Sequence, residues 1–371
     1  MNDLDKFFSE NSIEELEKRY IKKTDEKNNE LKKFYNLNVA NLGTINGLIC
    51  RSNFINKDSF TNNAFFSYRL RDRCTEEINK LILEEMPQSE DFQLSITYGS
   101  SLISNLLALN FHIFFKKKPL ILTSNTEHIG GIGPFTDHAV IRRVALKQES
   151  ILSNIIEHKP DIVFLSHFSY DLGLSIDFKF MYDEVSKLKN KPIIIIDCAQ
   201  SLGCIELPFN AADIIFGSCH KWLCGPKGLG LVWIKNKHVD KISSLGGDKG
   251  DNASSFSITG GADFLSFYEL LCSLISFFQS ERNLKKQIST ELKNELASIF
   301  QIIPSDHKSM VIVTSIKDLL PYYLKLLDNG IAVKYFQKGN YFRLSMPYYY
   351  RSEDICDVVR RVKTIMRAEY V

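Results

Sequence analysis

Short apolar runs alternate with segments of helical periodicity from about residue 36 onward, and this pattern predicts an α/β fold. The clearest strand is PIIIID (192–197), whose consecutive isoleucines show no polar alternation, so both faces of the strand need cover. Helices on both sides of a mostly parallel sheet would provide that cover. The other apolar runs that predict strands are 119–123, 139–146, 161–166, 212–218 and 229–234.

The pattern divides the chain into three segments. Residues 1–35 carry apolar positions at helical spacing among many charges, which predicts an N-terminal helical segment. Residues 36–262 are predicted to form a large domain around the sheet. Residues 263–371 are predicted to form a smaller C-terminal α/β domain, which begins with one long helix over 264–288.

Charge and apolar content narrow the class of protein. The 371 residues carry a net charge of +2, which gives no broad basic face for nucleic acid. No apolar run approaches the length of a membrane span, and the N-terminus lacks a signal-peptide pattern. We therefore expect a cytoplasmic protein with neither a nucleic-acid nor a membrane partner.

The cysteines give no indication of cross-links or metal. The 8 cysteines are scattered without a CxxC pair, so neither a disulfide framework nor a zinc site is predicted. Most are expected to be small buried residues. Cys356, in the helical pattern SEDICDVVRRV, is expected to have a core role.

Polar residues follow several of the predicted strands, at the edge where an open parallel sheet binds ligands. They occur in TYGSS (97–101), at Glu127 and His128, in SHFSY (166–170), in DCAQ (197–200) and in the stretch after ADIIF that contains Lys221. Because carboxyl ends of parallel strands meet at one edge, these residues together predict a pocket.

Each of these residues has an ordinary structural explanation when taken alone. Ser100 and Ser101 open a helical pattern, where they either bind an anion such as phosphate or cap the helix. Asp197 ends an apolar strand and needs a cationic partner, which a structural salt bridge would also supply. Lys221 is either a surface lysine or a nucleophile whose pKa burial lowers. In combination, the groups suit an aldehyde-bearing pyridinium with a phosphate, pyridoxal 5'-phosphate (PLP).

The order of these motifs resembles the class V aminotransferase family of fold-type I PLP enzymes. The motifs are GSS, EH, SHxS, DxAQSLG, SxHKWxxGPKGxG and a late R-x-S, and the resemblance covers roughly residues 36–365. HKWLCGPKG is especially similar to isopenicillin N epimerase-like proteins, and the spacing of SCHK and GPKGLG resembles cysteine desulfurases. The resemblance implies the fold of PLP-dependent transferases of type I and a homodimer.

The resemblance also implies catalytic roles. Lys221 would form the Schiff base with the cofactor and later move a proton at the substrate's α-carbon. Asp197 would pair with the pyridine nitrogen, and Gln200 would hydrogen-bond the phenolic oxygen. Arg343, in YFRLS, would bind the α-carboxylate of an amino-acid substrate as a bidentate fork.

The remaining implied roles concern the ring and the phosphate of PLP. His128 would stack on the exposed face of the ring. The side chains of Ser100, Ser101, Ser218 and His220 would hold the phosphate. Trp222 is expected to pack rather than react.

Three departures from the family pattern bear on function. The segment GIAVKYFQKGNYFRLS contains no cysteine before Arg343, so persulfide-forming desulfurase activity is not expected. Tyr170 stands where the desulfurase pattern has asparagine, and contacts there should differ. Gly261 occupies the position of a threonine that often reaches the phosphate of a neighbouring subunit.

The motifs are shared by several reactions at the α-carbon. We expect an aminotransferase-type reaction first, with a carbon–sulfur β-elimination lyase or an amino-acid epimerase as alternatives. A catalytically inactive PLP-fold binding protein is the non-enzymatic alternative. A nicotinamide dehydrogenase is disfavoured because no GxGxxG follows the first strand.

Overall fold

The computed structural model describes residues 35–43, 64–239, 257, 264–280 and 282–367. The predicted N-terminal helical segment, except for Tyr35, lies outside these residues, and so does Gly261.

Strands and helices alternate along most of the described chain. The strands are β1 (Tyr35–Asn36), β2 (Phe92–Tyr98), β3 (Leu120–Ser124), β4 (Val140–Val144), β5 (Ile162–Ser166), β6 (Ile193–Asp197), β7 (Ile214–Ser218), β8 (Leu229–Lys235), β9 (Gln301–Ile303), β10 (Met310–Thr314), β11 (Ile331–Ala332), β12 (Lys334–Phe336) and β13 (Tyr341–Ser345). The helices are α1 (Ala64–Glu85), α2 (Ser100–Phe114), α3 (Ile129–Ile132), α4 (Gln148–His158), α5 (Phe178–Ser186), α6 (Asn236–Val239), α7 (Phe264–Gln279), α8 (Arg282–Leu296), α9 (Leu320–Asp328) and α10 (Ser352–Arg367). None of these helices is long and apolar enough to cross a membrane.

The larger sheet has the strand order β2-β8-β7-β6-β5-β3-β4. Strand β8 runs antiparallel to both of its neighbours, and the other pairs are parallel. The prediction of a mostly parallel sheet is therefore confirmed, and every strand predicted for it is present. Its parallel strands point their carboxyl ends toward one edge.

The central strand β6 is buried on both faces, as its isoleucines predicted. Ile194 and Ile196 pack in the cluster that includes buried residues of α1, α4, α5 and α7. Ile195, between them, packs in the cluster that includes buried residues of α2. Because side chains alternate along a strand, an unbroken apolar run supplies both helical layers at once.

The smaller sheet is antiparallel, with the strand order β12-β13-β10-β9. Residues of β10, β13 and the helices α8, α9 and α10 form its own buried cluster. The prediction of one helix over 264–288 is wrong. The backbone turns at Ser280, whose hydroxyl donates to the carbonyl of Phe277 at 2.6 Å. The physical reason is that α7 packs against the larger sheet, whereas α8 packs against the smaller one.

The cysteines of the described residues form no disulfide bond with one another. Four are buried as expected: Cys74, Cys198, Cys219 and Cys224. The expected core role of Cys356 is wrong, because this side chain is exposed on α10. The apolar stripe of the helix is formed instead by its neighbours Ile355 and Val359.

The segment 35–43, here called the strap, connects the smaller sheet to the larger domain. Strand β1 pairs in parallel with β11. The amide of Ser345 donates to the carbonyl of Leu37 at 2.8 Å. Further along the strap, the side-chain amide of Gln200 donates to the carbonyl of Ala40 at 3.1 Å.

Two glycines pack directly against the loop that carries Lys221. The amide of Gly43, at the end of the strap, donates to the carbonyl of His220 at 2.6 Å, and a Cβ on Gly43 would lie 2.2 Å from the carbonyl oxygen of Lys221. Gly203, with φ +98°, would place a Cβ 2.4 Å from the amide nitrogen of Leu223. The loop is therefore held by backbone contacts that tolerate no side chain.

We predict that Gly203→Ala destabilises the protein by more than about 3 kcal/mol, because strain at positive φ adds to a clash with backbone atoms. Gly228→Ala is the matched control: Gly228 has φ +88° but no heavy atom within 4 Å of the added carbon. This control should lose only about 1 kcal/mol. Urea unfolding of both variants measures the difference, and equal losses would show that the backbone contact is unimportant.

Candidate functional site

The carboxyl ends of β2, β3, β5, β6 and β7 border one cleft of about 480 Å³. This volume lies within the range of small-molecule sites. All but one of the site residues predicted from the sequence line the cleft: Ser100, Ser101, His128, Asp197, Gln200, Ser218, His220 and Lys221. The exception is Arg343, which reaches the site from the smaller sheet through Tyr170.

Asp197 and Lys221 form the charged centre of the cleft. Asp197 ends β6, and its Oδ1 accepts the amide of Ala199 at 2.8 Å. Burial raises the pKa of Asp197, while the charge of Lys221 and the Ala199 hydrogen bond oppose the rise. Burial lowers the pKa of Lys221; Asp197 opposes this shift, and the charge of Arg343 adds to it. The pair brings together an acid and an amine that burial drives toward their neutral forms.

The N-terminus of α2 provides an anion-binding corner. The amide of Ser100 donates to the hydroxyl of Ser218 at 2.9 Å, and the two hydroxyl oxygens are 2.9 Å apart. The amide of Gly99 donates to the carbonyl of Gly228 at 2.9 Å. Ser101 is exposed on the first turn, beside these hydroxyls. Hydroxyls at the positive end of a helix suit a phosphate.

The ring of His220 borders the same corner. Its Nδ1 is buried and has no hydrogen-bond partner among the described residues. Burial, followed by the charges of Lys221 and Lys227, lowers the pKa of His220 to about 4. The ring is therefore neutral near pH 7, and an unpartnered nitrogen at this position suits an incoming oxygen ligand.

His128 stands at the exposed wall of the cleft. Its Nδ1 accepts the amide of Gly130 at 3.1 Å, which orients the ring. The ring meets that of Tyr170 edge-on, with the centroids 5.0 Å apart. Burial lowers the pKa of His128, and the charges of Lys221, Arg343 and Lys334 lower it further. A neutral imidazole is thus presented to whatever lies in the cleft.

Arg343 is a buried cation that forms no ion pair with the described residues. It is 2% exposed, and Nη1 donates to the backbone carbonyl of Tyr170. Nε is buried without a hydrogen-bond partner, and no carboxylate of the described chain forms an ion pair with Arg343 within 4.0 Å. Burial lowers the pKa of Arg343 to about 10, so the side chain remains charged. The edge formed by Nε and Nη2 is available for a carboxylate.

Gln200 is held by three segments that lie far apart in the sequence. Its Oε1 accepts a hydrogen bond from Trp222 Nε1 at 3.0 Å, and its Nε2 donates one to the carbonyl of Ala40. His307 Nε2 lies 2.6 Å from the backbone carbonyl of Gln200, and the His307 ring stacks on Trp222 at 4.8 Å. Trp222 packs as expected, and the second amide hydrogen of Gln200 has no acceptor among the described residues, so a ligand could accept it.

Glu127 is a residue of the site to which the sequence reasoning gave no role. Its carboxylate accepts the Ser124 hydroxyl at 2.7 Å, the Ser166 amide at 3.1 Å and the Ser166 hydroxyl. It therefore joins the ends of β3 and β5 beside Asp197, which pairs with Ser166 in the sheet. The signal available was its place directly before His128 at the end of an apolar strand.

A PLP group, the cofactor predicted from the sequence, fits these residues. Lys221 would supply the amine for its aldehyde, and Oδ2 of Asp197 would face its ring nitrogen. The unpartnered Nδ1 of His220, next to the hydroxyls of Ser100 and Ser218, suits its phosphate.

We predict that Glu127 makes stability depend on pH. Burial raises the pKa of Glu127 from 4.5 to about 7, and its hydrogen bonds from Ser166 and Ser124 oppose the rise. The native chain thus binds this proton more tightly than the unfolded chain, so the stabilisation is complete below pH 4.5 and is lost as pH rises through about 7. Glu127→Gln removes this loss, which should favour the variant by about 2 kcal/mol between about pH 5 and about pH 8.

Urea unfolding of both proteins across that pH range provides the measurement. Exposed Glu206→Gln is the control and should follow the parent protein. Parallel pH profiles for Glu127→Gln and the parent would contradict the assignment.

Comparison with known proteins places this site in context. The sequence model described as aminotransferase class-V matches residues 88–262. The chain is similar to a probable cysteine desulfurase of Mycoplasma pneumoniae, with 25% identity over 69% of this chain and 73% of that protein. It is also similar to a probable hercynylcysteine sulfoxide lyase of Mycobacterium tuberculosis, with 25% identity over 27% of this chain and 24% of that protein.

A solved structure shares the fold. The NifS-like protein from Rickettsia africae superposes with a TM-score of 0.71 at 16% identity, over 90% of this chain and 99% of that one. This likeness confirms the fold that was predicted from the sequence.

Proposed function

We propose that the protein is a PLP-dependent lyase that breaks the Cβ–S bond of a cysteine-derived amino acid, a proposal supported by the match of residues 88–262 to the sequence model described as aminotransferase class-V. The cofactor prediction is confirmed at the level of this family. One observation carries the proposal: the amine of Lys221 and the carboxylate of Asp197 line a single cleft, beside a buried Arg343 that lacks a carboxylate partner among the described residues.

Arg343 is the group that would orient the substrate. Its Nε–Nη2 edge binds the α-carboxylate, while Nη1 stays on the carbonyl of Tyr170. An amino acid held in this way has its carboxylate fixed at the smaller sheet and its amino group directed toward the larger one. Binding therefore neutralises a buried cation that has no carboxylate partner among the described residues.

Lys221 is the group that would move the proton. PLP, when bound, draws electrons away from the substrate's α-carbon and so makes its proton acidic. Nζ of Lys221 removes that proton, for which the amine must be neutral, and burial beside Arg343 favours the neutral form. Asp197 keeps a proton on the ring nitrogen, which sustains the withdrawal of electrons.

Loss of the α-proton is followed by departure of the sulfur from the β-carbon. Overall, the amino acid and one water give a free thiol, pyruvate and ammonia: the Cβ–S bond breaks and the thiolate takes up a proton. This net reaction is redox-neutral, so it needs no redox group in addition to PLP.

The names of the relatives favour the lyase among the reactions considered. One relative is named a desulfurase and another a sulfoxide lyase, and both names describe breaking of a carbon–sulfur bond. The aminotransferase reaction, which the sequence placed first, has no comparable support. The predicted homodimer and cytoplasmic location stay predictions.

Release of sulfur as a free thiol is favoured over transfer to an enzyme cysteine. No described cysteine lines the cleft. Strands β12 and β13 are joined by a single 3₁₀ turn, Gln337–Gly339, so no long loop precedes Arg343.

We predict that Lys221→Ala abolishes both cofactor attachment and turnover. The purified protein should show a visible absorbance band that borohydride removes, and the variant should lack this band. Exposed Lys227→Ala in the same loop is the control and should retain the band and activity within about twofold. An undiminished band in Lys221→Ala would contradict the assignment of the amine.

The reaction itself is identified by its products from S-substituted cysteines. The lyase releases thiol and pyruvate in equal amounts. Formation of a keto acid that keeps its sulfur, with an added keto-acid acceptor, would instead identify an aminotransferase. Incorporation of solvent deuterium at the α-carbon without either product would identify an epimerase, and both results would overturn the proposal.

We predict that Arg343→Gln lowers kcat/KM by about 100-fold, because the α-carboxylate loses a buried charged partner. Arg343→Lys keeps the charge but not the fork and should lose about tenfold. Exposed Arg351→Gln serves as the control. Steady-state kinetics with one S-substituted cysteine measures all three, and an unaltered Arg343→Gln would exclude this role.

A further inference from the structure

A second cation lies beside Arg343 on the smaller sheet. Lys334 on β12 is the direct register partner of Arg343 on β13, so the two side chains project from the same face of the sheet. Both flank the ring of Phe336: Nζ of Lys334 lies 5.8 Å from its centroid, and Cζ of Arg343 lies 5.6 Å from it. The ring holds both cations in place through cation–π contacts.

This face of the sheet is turned toward the cleft. The ring of Phe336 lies 6.1 Å from that of Tyr170, which in turn contacts His128. The charge of Lys334 also contributes to the lowered pKa of His128, after burial and the charges of Lys221 and Arg343. Lys334 is therefore on the substrate side of the smaller sheet, near the wall formed by His128 and Tyr170.

The positive charges of Lys334 and Arg343 are not balanced by nearby carboxylates of the described residues. In the parts of the chain that the structure describes, neither Lys334 nor Arg343 forms an ion pair within 4.0 Å. Asp171 acts on Arg343 only at longer range. An amino-acid substrate supplies a single α-carboxylate, and the buried fork of Arg343 is the better site for it. A substrate with only this carboxylate would leave the charge of half-buried Lys334 without an anionic partner from the substrate.

From this juxtaposition we infer that the substrate's side chain carries a second anionic group, which Lys334 binds beside the Arg343 subsite. The inference rests on the proposed function, because it places the α-carboxylate at Arg343. The substrate class is then a cysteine derivative whose sulfur substituent ends in a carboxylate or a similar anion. The amine of Lys334 suits this group, because a compact charge on a flexible side chain can bind anionic groups of different geometry.

A pair of substrates that differ only in charge tests the inference. S-carboxymethyl-L-cysteine is anionic at its end, and S-carbamoylmethyl-L-cysteine is its neutral isostere. With the PLP-loaded protein, kcat/KM for the anionic substrate should exceed that for the neutral one by at least tenfold. Lys334→Gln should bring this ratio close to one, chiefly by raising KM for the anionic substrate, and Lys334→Arg should restore it.

The chain offers a matched control two residues beyond Phe336. Lys338 is exposed in the turn between β12 and β13, and Lys338→Gln should keep the ratio of the parent protein. A ratio near one in the parent, or an equal fall in the Lys338 variant, would overturn the inference.

Binding measured without turnover separates this inference from the lyase proposal. L-glutamate and L-glutamine lack a leaving group on the β-carbon, and borohydride reduction of the PLP-loaded protein blocks any other reaction at the cofactor, so calorimetry with the reduced protein reports affinity alone. Glutamate binding at least tenfold tighter than glutamine, lost in Lys334→Gln, supports the anionic subsite even if neither thioether is cleaved. Cleavage of both thioethers at equal rates, with equal or no binding of the two amino acids, refutes the subsite and leaves the lyase intact.

Discussion

The burial of Asp197 is the constraint around which the site is arranged. A carboxylate at the end of a fully apolar strand loses its hydration, and only hydrogen bonds and a nearby cation offset that loss. The chain supplies the amide of Ala199 and the amine of Lys221, and it leaves Oδ2 open to the cleft. Because burial destabilises both charges, the acid and the amine are poised for a ligand that shares protons with them.

Glu127 extends this arrangement to a second acid. Its charge and that of Asp197 disfavour each other, and three hydrogen bonds from two serines make its burial tolerable. The bond to Ser124 fixes the turn between the end of β3 and His128. The wall of the cleft and the centre of the cleft are thus set by two acids that the sheet brings side by side.

The sequence was enough for most of the larger sheet and for the convergence of its polar strand ends. An apolar run such as 192–197 requires two covered faces, and parallel strands place their carboxyl ends at one edge. Contacts that depend on strand order could not be predicted from the sequence. Glu127 contacts Ser166 only because β3 lies next to β5. The pairing of Lys334 with Arg343 likewise depends on the register of β12 and β13. The turn between α7 and α8 was missed because both halves are helical by pattern, and only their different packing partners separate them.

The strap links the two parts of the site, the smaller sheet that bears Arg343 and the loop that bears Lys221. It is bonded to Ser345, two residues from Arg343, and its other end is bonded to the carbonyl of His220, next to Lys221. A tilt of the smaller sheet as it grips a carboxylate would pull on the loop that bears the amine. Under the proposed function, seating of the substrate at Arg343 and alignment of the Lys221 amine would therefore be coupled through the backbone of the strap.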